Sequence, residues 1–344
     1  MTENHSRAGY SEDTQHHPPR ALQERQQQEQ QQQEQQHLGA AALVTVVIPC
    51  YNQAHFLEEA IESVLAQSHP NFEIIVIDDG STDDTSEVAE RYPGVRLFRQ
   101  DNQGLAAARN AGVWRSKGEY LVFLDADDRL LPWALEAGLK HLNVHSECAF
   151  VSGYYRPIAV DGSPLSLPQQ QHRTEKDHYL ELLREGPSWP PVTVMFRRSV
   201  FESVGGFDAS LRAAEDYDMY LRIARRWPIN RHDEVVAQYR VHSASLNHNA
   251  ALMLKSTLAV LRPQWKHVKG NKQYEEALKR GIRVGQDHYG SRLAYKVLAH
   301  ARRWEWKQAV GDLLALLRYH PRVPVRACQK LASRMRGCNR LGTP

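Results

Sequence analysis

Cysteine is scarce in this chain. There are four in 344 residues (Cys50, Cys148, Cys328 and Cys338), and none forms a C-x-x-C pair. A zinc cluster or a disulfide framework is therefore not expected, and a reducing cytoplasm fits the usage. Long apolar runs are also missing. No stretch reaches the roughly 18 consecutive apolar residues of a membrane-spanning helix, and the polar N-terminus lacks the apolar segment of a signal peptide. A soluble chain, peripheral to a membrane at most, is the expectation. A strong charge of one sign is missing too: the net charge of +3 gives no reason to expect a nucleic-acid partner.

The even total hides an uneven distribution. Residues 251–344 hold 20 Lys and Arg against 5 Asp and Glu, an excess of 15 positive charges that leaves the rest of the chain at 12 net negative. An acidic front joined to a basic back suggests two tasks in one chain. Residues 1–40 are polar, and Gln23 to Gln36 is almost entirely Gln and Glu. Such a segment cannot bury enough surface to offset its ordering entropy, so a disordered Gln-rich tail is expected. A core domain should then span 41–250, and a basic helical C-terminal region 251–344. In that region Trp304, Trp306, Leu313, Leu314, Leu316 and Leu317 suggest apolar helix faces, with arginines at their rims. A solvated appendage and a surface for anionic lipid are the two readings of it.

Between 43 and 142, apolar β-branched runs alternate with helical spacing. Strands are expected at Leu43–Pro49, Phe72–Ile77, Val95–Phe98 and Tyr120–Leu124. Helices are expected at Ala54–Gln67, Thr82–Arg91, Gly104–Trp114 and Pro132–Leu142. This alternation predicts an α/β fold, a doubly wound and mostly parallel sheet covered on both faces. Ligands of such sheets bind beyond the carboxyl ends of the strands. The chemically distinctive residues fall at those ends: Pro49, Tyr51 and Asn52; Asp78 and Asp79; Asn102 and Gly104; Asp125, Asp127 and Asp128. The last set is the most informative. Leu121-Val122-Phe123-Leu124 runs straight into three carboxylates, and clustered acids at the end of a buried strand are costly without a cation. A divalent metal with oxygen ligands would relieve that cost. A turn and helix cap before Pro132 would use the same residues without a metal.

Other positions carry two readings as well. Asp78-Asp79-Gly80-Ser81 could bind a ligand or only shape a loop, with Gly80 permitting the tight backbone. Arg109 could form a structural ion pair with one of the aspartates. Glu215-Asp216 opens a helical run, where acids complement the dipole, yet a carboxylate there could also remove a proton from an attacking alcohol. His242, after a strand at Val235–Val241, reads by itself as surface or core filler.

Seven segments, taken in order, resemble family-2 glycosyltransferases of the GT-A fold. They are Val46-Val47-Ile48-Pro49-Cys50-Tyr51-Asn52, Ile77-Asp78-Asp79-Gly80-Ser81-Thr82-Asp83, Asn102-Gln103-Gly104-Leu105-Ala106-Ala107-Ala108-Arg109-Asn110, Phe123-Leu124-Asp125-Ala126-Asp127-Asp128, Gly205-Gly206-Phe207-Asp208, Glu215-Asp216 and Tyr239-Arg240-Val241-His242. The likeness covers about 43–245. It implies a GT-A-like domain that moves a sugar from a nucleotide-diphosphate sugar, UDP-linked by default, to a hydroxyl of a sugar or lipid-linked sugar. Metal assistance by Mn2+ or Mg2+ and inversion at the anomeric carbon are part of the same implication. It implies Asp127 as chief metal ligand, with Asp125 and Asp128 contacting ribose, water or metal, His242 contacting metal or diphosphate, and Arg240 a second candidate for phosphate. Pro49, Tyr51, Asn52, Asp79, Asn102, Gly104 and Arg109 would line the donor, with Asp79 on the base. Asp216 would be the base, with Glu215 close by. Polysaccharide or glycolipid assembly is the expected setting, with the basic C-terminal region touching a membrane. A nucleotidyltransferase would be expected to carry a glycine-rich loop with lysine after the first strand, where this chain reads Pro49-Cys50-Tyr51-Asn52-Gln53. A sugar-nucleotide binder without turnover is the other alternative, and the intact carboxylates weigh against it.

Overall fold

The computed structural model describes residues 42–166, 177–242 and 249–320. The Gln-rich tail and the last basic stretch lie outside the described residues. Eight strands form one sheet in the order β3-β2-β1-β4-β7-β6-β8-β5. β1 (Val44–Cys50), β2 (Phe72–Asp78), β3 (Val95–Arg99) and β4 (Tyr120–Phe123) pair in parallel. β1 is buried along its whole length, as a continuous apolar run requires when both faces are covered. Its alternate residues serve two cores. Val46 and Ile48 pack with Leu57, Ala60, Ile61 and Val64 of helix α1 (Ala54–Leu65). Val47 packs on the other side with Ala106, Ala108 and Val113 of helix α3 (Leu105–Arg115). α3 approaches closely because its residues are small: a Cβ on Gly112 would lie 2.2 Å from a Val47 methyl.

Helix α2 (Thr85–Glu90) joins β2 to β3. From β1 the chain moves outward to β2 and β3, then returns to place β4 on the opposite side of β1. The order reverses there, and in doubly wound sheets ligands bind in the crevice outside the carboxyl ends at such a point. The doubly wound expectation is met in this half. The other half is mixed. β7 (Val194–Arg197) runs antiparallel between β4 and β6 (Phe150–Ile158). β8 (Asn230–Arg240) pairs in parallel with β6 through register shifts near Tyr154. The short β5 (Arg129–Leu130) pairs antiparallel with β8, Arg129 opposite Gln238. That pairing holds the acidic segment 125–128 beside the end of β8.

The remaining helices are α4 (Ala134–Val144), α5 (His178–Glu185), α6 (Arg198–Val204), α7 (Glu215–Ala224), α8 (Ala250–Leu261), α9 (Trp265–Val268), α10 (Lys272–Arg302) and α11 (Trp306–Tyr319). The boundary expected near 250 does not divide the core. Val260, Leu261, Val268 and Leu278 share one buried cluster with Leu182, Tyr217 and Phe196. Asp177 makes the same connection in polar form, capping α5 through Leu180 N at 2.9 Å and accepting from the Tyr274 hydroxyl at 2.7 Å. The helical region is thus built onto the sheet domain by shared apolar burial.

Candidate active site

The first two strand ends are tied to each other by short polar side chains. Asn52 adopts a left-handed backbone, φ +54°, which Asn tolerates better than most residues. Its Oδ1 accepts from Thr82 N at 2.8 Å, and its own N–H donates to Ser81 Oγ at 3.0 Å. Tyr51, next to this turn, is half-exposed. Gly80 sits at φ +79°, with Asn102 N only 2.8 Å from where a Cβ would be.

Asp78 and Asp79 both brace loops at the strand ends, to different degrees. Asp78 is fully buried and braces its loop, accepting from Ser81 N at 2.7 Å and Ser86 Oγ at 2.9 Å. Asp79 accepts from Gln100 Nε2 at 2.8 Å, Gln103 N at 3.0 Å and Gly104 N at 2.8 Å. These bonds fill three of the about four acceptor positions of a carboxylate. They fix the turn at Gly104 (φ +92°) from which α3 starts. Asp79 therefore organises the loop carrying Asn102 and Gly104, with about one lone pair left over for a ligand.

Arg109 settles on the ion-pair reading. Its guanidinium, 1% exposed, donates to Asp125 Oδ1 at 2.7 Å and to Glu215 Oε1 at 2.6 Å. One buried cation thus links the acids after β4 to the start of α7, and Arg109 and Glu215 are 106 residues apart in sequence. Neighbouring carboxylates favour the charged guanidinium and raise its pKa against the opposing effect of burial. Glu215 is buried, and desolvation pushes its carboxyl up to about 7 while Arg109 pulls it down. At 2.6 Å the geometry is that of an ionised, charge-assisted pair.

Glu215 is therefore committed to Arg109, and Asp216 remains. Asp216 is half-buried at the first turn of α7 and accepts only its own helix's Tyr217 N, at 2.7 Å, among the bonds described. Burial raises its pKa, Arg109 opposes that, and repulsion from Asp125 adds to it. The preceding Ala214 holds φ +59°, which costs roughly 1–2 kcal/mol for a residue with a Cβ. That strained turn sets the direction in which the two acids enter the site.

The third acidic group behaves unevenly. Asp127 Oδ2 lies 2.7 Å from His242 Nε2. Burial and the charge of Asp125 raise its pKa, while His242 lowers it. Asp128 is spent elsewhere: it is 2% exposed and accepts the Arg240 N–H at 2.8 Å. A metal-facing role for Asp128 is not what this geometry provides, because the carboxylate fastens the end of β8 to the acidic segment. Arg240 is likewise unavailable to a phosphate. It is 1% exposed, donates to the Asp127 carbonyl at 2.7 Å and to Val160 O at 2.5 Å, pairs with Glu59, and lies over the Phe56 ring.

Asp125, Asp127 and His242 nevertheless fit a divalent cation. Two partly exposed carboxylates and an imidazole are a hard to borderline donor set, and the mutual repulsion of the two acids is what a cation would relieve. Their ligand atoms are not yet gathered. Among the described residues, the group of three within 4.8 Å of one another is His141, His232 and Glu234, on α4 and β8 and away from these acids in sequence.

Two supporting residues carried no assigned role in the sequence. Glu59 on α1 pairs with both Arg129 and Arg240, and its surface-like helical position gave no signal. Asn110 exchanges hydrogen bonds with the Phe207 backbone at 2.7 and 2.8 Å. Its place at the end of the segment 102–110, facing Gly205-Gly206-Phe207-Asp208, was the available hint.

A family model described as glycosyl transferase family 2 matches residues 45–205. A Bacillus subtilis glycosyltransferase named for teichuronic acid biosynthesis, TuaG, is 32% identical over 227 residues, 64% of this chain and 87% of that protein. The chain belongs to glycosyl transferase family 2. Solved structures agree on the fold. The Pyrobaculum calidifontis mannosyltransferase PcManGT, in complex with GDP-Man and Mn2+, superposes with a TM-score of 0.55 at 20% identity, over 79% of this chain and 85% of that one. S. aureus TarS 1-349, in complex with UDP-GlcNAc, gives 0.51 at 17% identity, over 78% and 88%. This family-2 protein is accordingly a glycosyltransferase of the GT-A type, and no helix among its described residues is long and apolar enough to cross a membrane.

Proposed function

We propose that this glycosyltransferase takes a sugar from a UDP-linked donor and passes it to the hydroxyl of a sugar or lipid-linked sugar. The setting is polysaccharide or glycolipid assembly on the cytoplasmic side of a membrane. The observation that carries the reading is the division of labour at Glu215-Asp216. Arg109 holds Glu215 and Asp125 together, while Asp216 beside them is partly exposed and accepts from Tyr217 N of its own helix. Burial raises the basicity of its carboxylate, which suits a group that must accept a proton as the acceptor oxygen attacks. One displacement at the anomeric carbon, with the base on the side opposite the leaving group, inverts configuration.

Asp125, Asp127 and His242 would hold Mn2+ or Mg2+, which supplies Lewis-acid neutralisation of the leaving diphosphate when bound. Tyr51 would stack on the base, and the Asp79-organised loop with Asn102 and Gly104, together with the Pro49 and Asn52 turn, would close around the nucleotide. The similarity to TuaG favours a polysaccharide product.

The test is a screen of nucleotide sugars with Mn2+ or Mg2+, following nucleoside diphosphate release with and without acceptor sugars. Asp216→Asn should bind donor as the native enzyme does and lose transfer by about 100-fold or more, the scale of general-base catalysis. Full transfer by that variant would remove Asp216 from the role. Donor binding without turnover under all conditions would favour a binding protein.

A further inference from the structure

We propose that helix α11, with the turn before it, is a docking surface for an anionic lipid bilayer. The inference rests on which face of the helix is left uncovered, and it does not depend on the reaction assigned above. α11 packs on the rest of the molecule through Ala309 and Leu316, its two buried residues. A second apolar stripe, formed by Trp306, Val310, Leu313, Leu314 and Leu317, remains exposed. The spacing is i, i+4, i+7, i+8 and i+11, which at 3.6 residues per turn keeps all five within an arc of roughly 100°. A helix that only needed to cover the core would carry polar residues there.

The turn adds a second observation. Trp304 is 77% exposed and holds φ +62°, a conformation that suits glycine and is costly for a bulky residue. Its ring meets Trp306 edge-on at 5.8 Å. A strained, solvent-facing tryptophan contributes nothing to the core. Tryptophan is, however, a side chain that settles at the boundary between water and hydrocarbon.

Charge decides the occupant. Lys307 and Arg318 project from one flank of the stripe, Arg302 and Arg303 precede it, and all four are exposed. The acid of the helix, Asp312, falls on another flank, where His300 Nδ1 lies 3.2 Å away. A second copy of this chain would bring the same cations against them, whereas anionic headgroups match them. An apolar stripe beside a basic flank is the pattern of a helix lying in the plane of a bilayer, inserted about 5–10 Å. The sequence continues the sign: residues 321–344 hold six Lys and Arg and no acid.

The test uses the full chain with vesicles of phosphatidylcholine alone or mixed equally with phosphatidylglycerol. Co-sedimentation and the tryptophan emission maximum are the readouts. The native chain should bind the anionic vesicles with a blue shift and bind the neutral ones weakly. Leu314→Asp/Leu317→Asp should lower partitioning at least about tenfold, a change of about 1.4 kcal/mol. Arg302→Gln/Arg303→Gln should lower it about fivefold per charge, the equivalent of about 1 kcal/mol each. Both variants should keep the native melting temperature and native nucleoside diphosphate release with a water-soluble acceptor. Equal binding to the two vesicle types, or unchanged binding by the Leu314→Asp/Leu317→Asp variant, would overturn the proposal. So would a native dimer that the same variant converts to monomer without any vesicle binding, which would assign the stripe to a second copy.

Discussion

Replacing Arg109 by methionine removes the one cation that Asp125 and Glu215 share while keeping most of the side-chain volume. The guanidinium is 1% exposed and its two contacts are 2.7 and 2.6 Å, so little solvent screening intervenes. Two unit charges 4 Å apart gain about 4 kcal/mol at an effective dielectric near 20. The two contacts therefore represent a gross attraction of at least about 8 kcal/mol, most of which offsets desolvation of the three groups. What the variant loses is the difference, and removing one member of a buried ionic cluster costs about 3–5 kcal/mol. For a domain of this size, 1 kcal/mol shifts the midpoint by roughly 2–4 °C, so Arg109→Met should melt about 6–20 °C below the native chain.

The sharper measurement is a mutant cycle in urea, without metal or donor. Arg109→Met/Asp125→Asn/Glu215→Gln replaces all three charges with neutral side chains of similar volume, and such replacements are often close to neutral. Most of the deficit should return. If Arg109→Met unfolds within 1 kcal/mol of the native chain, or the triple variant is worse than the single one, the cluster is not held by its charges and the reasoning fails. Arg109→Lys should fall between, since an ammonium cannot span both acids as a planar fork does.

Two further outcomes follow from individual sites. Asp127→Ala should weaken metal-dependent donor binding about tenfold or more, the loss of one contact to a charged group at about 1.5–3 kcal/mol; titration calorimetry that finds equal affinity would remove Asp127 from the metal site. His232 is buried against the His141 ring, and burial together with His141 depresses its pKa to about 4 against the partial opposition of Glu234 and Asp233. The unfolded chain protonates this side chain below about 6.5 and the folded chain only below about 4. Stability should therefore fall as pH drops through that window, by about 2 kcal/mol at pH 5 and about 3 kcal/mol in full. His232→Phe should flatten this part of the pH dependence in urea unfolding, and an unchanged slope would assign it elsewhere.

The parallel half of the fold was legible because its strands carry unbroken apolar runs and its helices carry one-sided spacing. β1 and β4 are buried throughout, and such strands announce themselves. The mixed half was not. β7 is four residues long and follows Trp189-Pro190-Pro191, and β6 contains Gly153 and Pro157, so neither presents a clean period. The continuity of the C-terminal helices with the core was hidden for another reason. Leu261, Val268 and Leu278 are ordinary helical apolar residues, and only tertiary packing shows that they meet Leu182 and Tyr217.

Within the site, sequence located the acids but could not say which were free, and the distinction is physical. A carboxylate at a strand end has two kinds of suitor: nearby backbone N–H groups, which are always present, and a ligand, which is not. Asp78 and Asp128 are taken by the first kind, through Ser81 N and Arg240 N. Asp79 is nearly so, with three donors. Glu215 is taken by a buried guanidinium. Those four fix loops, and their mutation should be felt first as lost stability. Asp127 and Asp216 remain less committed: burial raises the pKa of each, and repulsion from Asp125 adds to it. An acid kept near a like charge without full compensation is a candidate for completion by a ligand. At Asp127 a metal would do so, and at Asp216 the proton of an acceptor hydroxyl. The same segments of sequence thus hold groups that build the site and groups that, in the proposed reaction, would work in it, and hydrogen-bond saturation is what separates them.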